Sequence, residues 1–363
     1  MAQKKKYVFI IQGEGRGHLT QALALEEILR NAGHEVKAVL VGRSSRREIP
    51  VFFYEKIKSK IHLFESPNFW IDAKYKSVNI FLTIFFNIFR SRRFIKNIRA
   101  MHELLKEYKP DVVINFYDLL AGLYMRWYKP KWKFICIGHH YWMNHPDFVF
   151  PKGKPIHRWL LKLNNRMTSF RADKRLALSF HLAKDIPKKK LEVVPPLLRK
   201  PVFDLSLTQE NFILIYLLNH GYADSIIEWH REHPDVKIYC FWDKKKVEDN
   251  FSVHPNLLFY RLDDESFLSF MSRCKGYICT AGFESVCEAF YLGKPVMVIP
   301  TKGHFEQQCN AIDAVRAGVG IQHTEFDISK FLEYLNSFSS SANSSFKEWV
   351  HQGDQLFVEK LTS

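Results

Sequence analysis

The sequence has no CxxC pair, no low-complexity tract and no internal repeat of fixed period, which argues against a zinc ribbon, a disordered linker protein and a solenoid. Its six cysteines, at 136, 240, 274, 279, 287 and 309, mostly sit inside apolar strand or helix patterns. Scattered in that way they fit buried free thiols of a reducing cytosol better than a disulfide framework. Long apolar runs are also missing: the stretch 78–89, VNIFLTIFFNIF, covers twelve residues, too few to span a bilayer. The start, MAQKKKYVFIIQGEG, has only Tyr7 to Ile11 as an apolar core and lacks the long apolar segment of a secretory leader. Acid is scarce, with 38 Asp and Glu against 53 Lys and Arg, a net charge of +15. That balance draws the chain towards phosphorylated substrates, anionic membranes or nucleic acid. No basic run is interleaved with base-stacking aromatics, so nucleic acid is discounted.

What is present is an ordinary globular composition over 363 residues, 47% hydrophobic and 25% charged, with 31 Phe. That length suits two domains, each with its own core. In the first half apolar strands alternate with amphipathic helices: YVFII, then HLTQALALEEILRNAG closed by Gly33, then EVKAVLVG. The helix AMHELLKEYKP follows later, stopped by Pro110, with the strands DVVINF and KFICIG after it. Such alternation implies α/β architecture with a parallel sheet wound on both faces. Three prolines in LEVVPPLLRKPVF mark a stiff crossover, beyond which FILIYLL, VKIYCFW, NLLFYRL, GYICT and VMVIP repeat the pattern. The expected domains are 1–197, 198–340 and a helical tail, 341–363, packing back on the first domain. Two doubly wound domains place a ligand crevice at the carboxyl ends of their strands.

The most informative stretch is CTAGFESVCEAFYLGKPVMVIPTKGHFEQQCNA, from Cys279 to Ala311. A strand ends near Gly282, and Phe283, Glu284 and Ser285 open a helix whose amides suit a diphosphate. Glu288 lies one turn beyond Glu284, on the same face, and a carboxylate accepts two ribose hydroxyls well. Glu284 sits awkwardly beside a diphosphate and is expected to cap the helix or point outward. After VMVIP, Glu306 and Gln307 pair an acceptor with an amide, as sugar hydroxyls require, and Asn310 is expected to start the next helix. Together these suit a nucleotide diphosphate-sugar.

In the first domain, Gly13-Glu14-Gly15-Arg16-Gly17-His18 opens from a strand directly onto a helix. Its GxGxGH spacing is not the dinucleotide fingerprint, but a neutral imidazole at the mouth of such a turn accepts a hydroxyl proton. Asp118, after DVVINF, is expected either to orient His18 or to cap the next helix from an exposed loop. Glu14 competes for the orienting role. His139, His140, Tyr141 and His145 cluster after KFICIG, either beside an acceptor or in a surface loop.

On these residues the chain resembles GT-B glycosyltransferases, most closely the MurG-like N-acetylglucosaminyltransferases and related UDP-glycosyltransferases. The resemblance covers nearly the whole chain in layout. It implies that Gly13, Gly15, Gly17 and His18 form the first glycine-rich loop, with His18 and Asp118 as base and orienting acid. It further implies that Glu288 holds the donor ribose, that Glu306, Gln307 and Asn310 form the acid-Gln-x-x-Asn pattern, and that the backbone at Leu262 reads the base. The turn Asn219-His220-Gly221-Tyr222 departs from the family's richer glycine-serine turn.

The implied activity is inverting transfer from a UDP-sugar to an acceptor hydroxyl by a hexosyl or N-acetylhexosaminyl transferase, with no metal and no cofactor. A sugar-nucleotide 2-epimerase and a non-catalytic nucleotide-sugar-binding protein are the alternatives. Arg90, Arg92, Arg93, Lys96 and Arg99 follow the apolar stretch, so 78–99 is either an interfacial anchor on an anionic membrane or a buried helix with a solvated basic end. The expected setting is cytoplasmic, with peripheral attachment to the inner face of the membrane if that anchor operates.

Overall fold

The computed structural model describes residues 4–43, 48–67, 87, 89–217, 220–242, 250–338 and 343–363. They divide between two compact units, one holding the described parts of Met1–Ile71, Val78–Arg199 and Glu348–Ser363, the other those of Lys200–Lys347.

The first unit is built on a seven-stranded sheet: β1 (Lys6–Gln12), β2 (Glu35–Arg43), β3 (Lys60–Glu65), β4 (Val112–Phe116), β5 (Lys133–Gly138), β6 (Lys174–Leu178) and β7 (Leu191–Val194), in the order β3-β2-β1-β4-β5-β6-β7. Each neighbouring pair is parallel. Residues Tyr7 to Ile11 of the inner strand β1 are wholly buried, which is why this strand reads as an unbroken apolar run and not as an alternation. The strand order reverses between β1 and β4, and open sheets of this kind take their ligands at the carboxyl ends of the strands beside such a reversal.

The tail, which belongs to this unit from Glu348 onward, forms two helices, Asn343–His351 and Gly353–Thr362, and not the single helix its periodicity suggested. Trp349 Nε1 donates to Ser179 O at 3.1 Å, and Lys174 Nζ donates to Lys360 O at 2.8 Å.

The second unit repeats the plan with β8 (Ile213–Leu217), β9 (Ile238–Trp242), β10 (Asn250–His254), β11 (Leu257–Arg261), β12 (Gly276–Cys279), β13 (Val296–Val298) and β14 (Gly320–Gln322). Their order is β10-β11-β9-β8-β12-β13-β14, all parallel except the antiparallel edge pair β10 and β11. Its core gathers Ile213, Ile215, Ile238, Trp242, Phe259, Ile278, Met297 and Phe331 from the sheet and one flanking helix. All six cysteines are buried and free.

Candidate functional site

β1 ends in the glycine-rich turn, where Gly13 N donates to Gly42 O at 2.7 Å. A Cβ on Gly13 would lie 2.5 Å from that same oxygen, so only glycine lets the two backbones close this gap. The helix Arg16–Asn31 follows at once and carries the half-buried His18 in its first turn. His18 Nδ1 lies 3.3 Å from Gln21 Oε1, one turn along. An amide oxygen only accepts, so this contact places the imidazole proton on Nδ1. Glu14 is buried in the same turn.

Beside His18 stand two further rings. Tyr117 and His140 are stacked at 3.7 Å with planes 13° apart, and their centroids lie 6.1 and 5.7 Å from that of His18. Tyr117 follows β4 with φ at 62°, the left-handed region that a bulky side chain enters at a cost. Its ring is gripped from the helix Pro155–Thr168: Tyr117 Oη donates to Asn165 Oδ1 at 2.5 Å and accepts from Asn164 Nδ2 at 3.0 Å. Asn165 Nδ2 donates to His140 O at 2.6 Å, so one amide fixes both members of the stack.

Asp118 departs from the expectation of a base-orienting acid. Its Oδ1 accepts from the amides of Leu120 and Ala121 at 2.8 and 3.3 Å, and its Oδ2 accepts from Ser66 Oγ at 2.7 Å. It is the N-cap of the helix Leu119–Tyr128 and is completely buried, so the alternative capping role is the one observed, though not in an exposed loop. Burial pushes its pKa up to about 6, against the lowering effect of those three hydrogen bonds. The acceptor-side histidines separate too. His139 Nδ1 donates to Leu178 O at 2.9 Å and ties β5 to β6, whereas His140 faces His18.

In the second unit β12 leads into Thr280, Ala281 and Gly282, where Gly282 N donates to Thr280 O at 2.5 Å in a tight turn. The helix Glu284–Tyr291 begins just beyond, with Phe283 at its N-cap and no side-chain cap on its first amides. Glu284 occupies its first turn, where the helix dipole favours a carboxylate, which accounts for an acid at that position. Ser285 is half-buried. Thr280 Oγ1 is buried with no hydrogen-bond partner, and so is Asn310 Oδ1, while Asn310 Nδ2 donates to Ala281 O at 3.1 Å. Two orphaned acceptors thus converge on one turn at an uncapped helix start. Buried polar groups of this kind are expensive unless a ligand or water completes them.

Glu288 is 3% exposed, as is Asp313. Burial drives the Cys287 thiol pKa well up, and the nearby carboxylates of Glu284, Glu288 and Asp313 push it in the same direction. The helix after β13 begins at Phe305, earlier than expected, so Glu306 and Gln307 lie in its first turn and Asn310 in its second. Gln307 Oε1 accepts from Thr301 N at 2.7 Å, bracing the loop. Leu262 N donates to Trp242 O at 3.2 Å, which ties this loop to the end of β9. Asp263 caps the helix Asp264–Arg273 through Ser266 N at 2.7 Å. Gly221 lies in the short turn His220–Tyr222, and Asn219 lies outside the described residues.

Reading the sequence missed Gln21, Tyr117, Asn165, Thr280 and Asp313. Gln21 and Asp313 carried a signal, each standing three residues after a residue already singled out. Tyr117 and Asn165 carried none, because their roles come from a backbone conformation and a long-range bond.

The sequence model described as glycosyl transferase family 1 matches residues 5–339. A protein of Methanosarcina acetivorans described as an uncharacterized glycosyltransferase is 23% identical over 340 residues, 87% of this chain and 84% of that protein. The UDP-N-acetylglucosamine--N-acetylmuramyl-(pentapeptide) pyrophosphoryl-undecaprenol N-acetylglucosamine transferase of Alkaliphilus metalliredigens is 25% identical over 381 residues, 97% of this chain and 88% of its own. Among solved structures, the glycotransferase of kitacinnamycin superposes with a TM-score of 0.66 at 14% identity, covering 99% of this chain and 98% of its own. The spinosyn rhamnosyltransferase SpnG, complexed with thymidine diphosphate, does so with a TM-score of 0.62 at 14% identity, covering 99% and 100%.

Proposed function

The chain belongs to glycosyl transferase family 1, with a fold of the GT-B class, and we propose that it transfers a sugar from a UDP-sugar to an acceptor hydroxyl with inversion. The observation that carries this reading is the pair of orphaned acceptors, Thr280 Oγ1 and Asn310 Oδ1, at the uncapped start of the helix Glu284–Tyr291. A sugar hydroxyl supplies the donors these oxygens lack, and a helix N-terminus suits the charge of a diphosphate. In this reading Glu288 accepts from the ribose, Glu306 and Gln307 meet the sugar, and the carbonyl of Leu262 meets the base. Gly17, Gly221, Gly282, Phe283, Glu284 and Ser285 complete the donor side, with Asn219 as the expected companion of Gly221.

The chemistry assigned to the first unit is proton removal. As the acceptor oxygen bonds to the anomeric carbon, the bond from that carbon to the diphosphate oxygen breaks, and the hydroxyl proton passes to His18 Nε2. Gln21, instead of Asp118, holds the imidazole in the required tautomer. Charge on the departing diphosphate is met by helix amides without a metal. Glu14 and His140 are the acceptor-side residues of this reading.

Uracil as the base is supported by the UDP-N-acetylglucosamine donor that gives the Alkaliphilus relative its name, which also favours an N-acetylhexosamine and a lipid-linked or membrane-proximal acceptor. Among the described residues no helix is long and apolar enough to cross a membrane. Of the stretch 78–99, residues 78–86 and 88 lie outside the described residues, while Phe89 is 71% exposed beside Arg90. The test is a thermal-shift series with UDP-, GDP- and dTDP-sugars, followed by UDP release with candidate acceptors. Stabilisation by UDP-sugars and acceptor-dependent release are expected. Protection by none of the three would end the donor assignment.

A further inference from the structure

The helix Pro155–Thr168, PIHRWLLKLNNRMT, buries only Asn165 and Thr168. Yet it carries Ile156, Trp159, Leu160, Leu161, Leu163 and Met167, and two of these stand far out in solvent, Ile156 at 69% and Trp159 at 61% exposure. Helical spacing puts Ile156, Trp159, Leu160, Leu163 and Met167 on one face, opposite the side that buries Asn165 and Thr168. Arg158, Lys162 and Arg166, four residues apart, line its flank. Arg158 and Lys162 lie over the Phe150 ring at 4.5 and 5.5 Å, which holds that cationic row in place. From Pro151 to Ala172 there are six Lys and Arg and no Asp or Glu.

We infer that this helix is an interfacial anchor that seats the first unit on an anionic lipid bilayer. An apolar face tipped with Trp takes the boundary between headgroups and acyl chains, and the basic row beside it meets the lipid phosphates. The absence of any acid over the whole segment matches a surface of uniform negative charge, the property that separates a bilayer from a mixed-charge protein face. None of these residues belongs to the 78–99 stretch. At its last turn the same helix presents Asn165 to Tyr117 and His140, so a seated helix sets the neighbourhood of His18 near the lipid surface. Only that last step, the presentation of a lipid-borne acceptor, rests on the sugar-transfer reading.

The test is co-sedimentation of the full chain with vesicles of phosphatidylcholine alone and of equal parts phosphatidylcholine and phosphatidylglycerol. Binding to the anionic vesicles only, reversed by salt, is expected. The double variants Ile156→Ser/Trp159→Ser and Arg158→Gln/Lys162→Gln should each lower the partition coefficient by about 10-fold or more. Their circular dichroism and melting should match wild type, since all four side chains are at the surface. In parallel, quenching of Trp emission by brominated lipid should fall in Trp159→Phe. A wild-type chain that ignores anionic vesicles overturns the inference, as do double variants that bind as well as wild type. Acceptor-free donor hydrolysis and UDP melting shifts are measured without lipid, so failure of the transfer reading leaves the vesicle result standing, and the converse also holds.

Discussion

Ser66 Oγ donates to Asp118 Oδ2 across 2.7 Å, linking the residue just past β3 to the cap of the helix Leu119–Tyr128. The bond matters because Asp118 is wholly enclosed, and burial outweighs the hydrogen bonds, raising its pKa from 3.8 to about 6. A carboxyl raised in this way binds its proton more tightly folded than unfolded. Between roughly pH 4 and pH 6 the folded state therefore holds more protons, and stability falls as pH rises through that window.

Asp118→Asn removes the titration while keeping an amide oxygen for the cap. Across that window wild type should lose up to about 3 kcal/mol relative to the variant, on the scale of 1.36 kcal/mol per pKa unit. Urea unfolding of both proteins at pH 4 and pH 7 measures it. Had Asp118 paired with an imidazolium, its pKa would be depressed and the difference would run the other way, so a relative gain for wild type at pH 7 would contradict the capping role.

His18 and Gln21 give a second prediction, read from rates. His18→Ala should cut turnover by about 10²- to 10⁴-fold, the usual worth of a general base, with the UDP-induced melting shift unchanged. Gln21→Leu strips the acceptor from Nδ1 and should lower kcat by about 10-fold, a modest share of that base's worth. Gln21→Glu replaces the amide with a carboxylate, which stabilises the imidazolium, so the acidic limb of the kcat profile should move to higher pH. A limb that stays in place in Gln21→Glu would show that Gln21 does not act through His18.

How much of this was legible beforehand differs between the two units. The alternation of strands with helices followed from apolar runs separated by amphipathic helices, because strands buried on both faces leave that signature, as Tyr7 to Ile11 do; the order of the strands in each sheet did not. Glu288 was legible as an inward acid because a turn of helix has a fixed length. Asp118 was read correctly as lying past a strand end, but its partner was not, since Ser66 stands 52 residues away and no local pattern announces it. The start of the helix Phe305–Arg316 was misplaced because His304, an uncommon cap, takes the position that Ser or Asp usually marks. The exposed face of Pro155–Thr168 was invisible for a different reason: an apolar stripe on a helix reads as core until its burial is known.

Thr280 tests the donor site by opposing signs. Its hydroxyl is buried without a partner, so Thr280→Val removes an unsatisfied polar group at nearly constant volume. The free protein should become more stable by about 1 kcal/mol, while UDP-sugar affinity drops by about 10-fold as the ligand loses an acceptor. Chemical unfolding and titration calorimetry measure the two. A variant that loses stability would mean the hydroxyl was already satisfied, and unchanged affinity would remove it from the site.

Gly122 lies within the helix Leu119–Tyr128, where alanine ordinarily adds up to about 1 kcal/mol of stability. Here a Cβ would meet Met167 O at 1.9 Å and Thr168 O at 2.8 Å, and both are backbone atoms that no rotamer change can move. Thr168 O also accepts from Asn115 Nδ2 at 2.8 Å, so the last turn of Pro155–Thr168 is pinned from the sheet side as well. Gly122→Ala should therefore cost about 3 kcal/mol, at the upper end for overpacking. Because Asn165 sits in that displaced turn and holds both Tyr117 and His140, kcat should fall together with stability. Gly33→Ala is the control: nothing lies within 4 Å of its Cβ, although φ is +84°, so it should cost about 1 kcal/mol from backbone strain alone and leave turnover unchanged. Equal losses in the two variants would mean that the helix contact at Gly122 yields without transmitting anything to the stack beside His18.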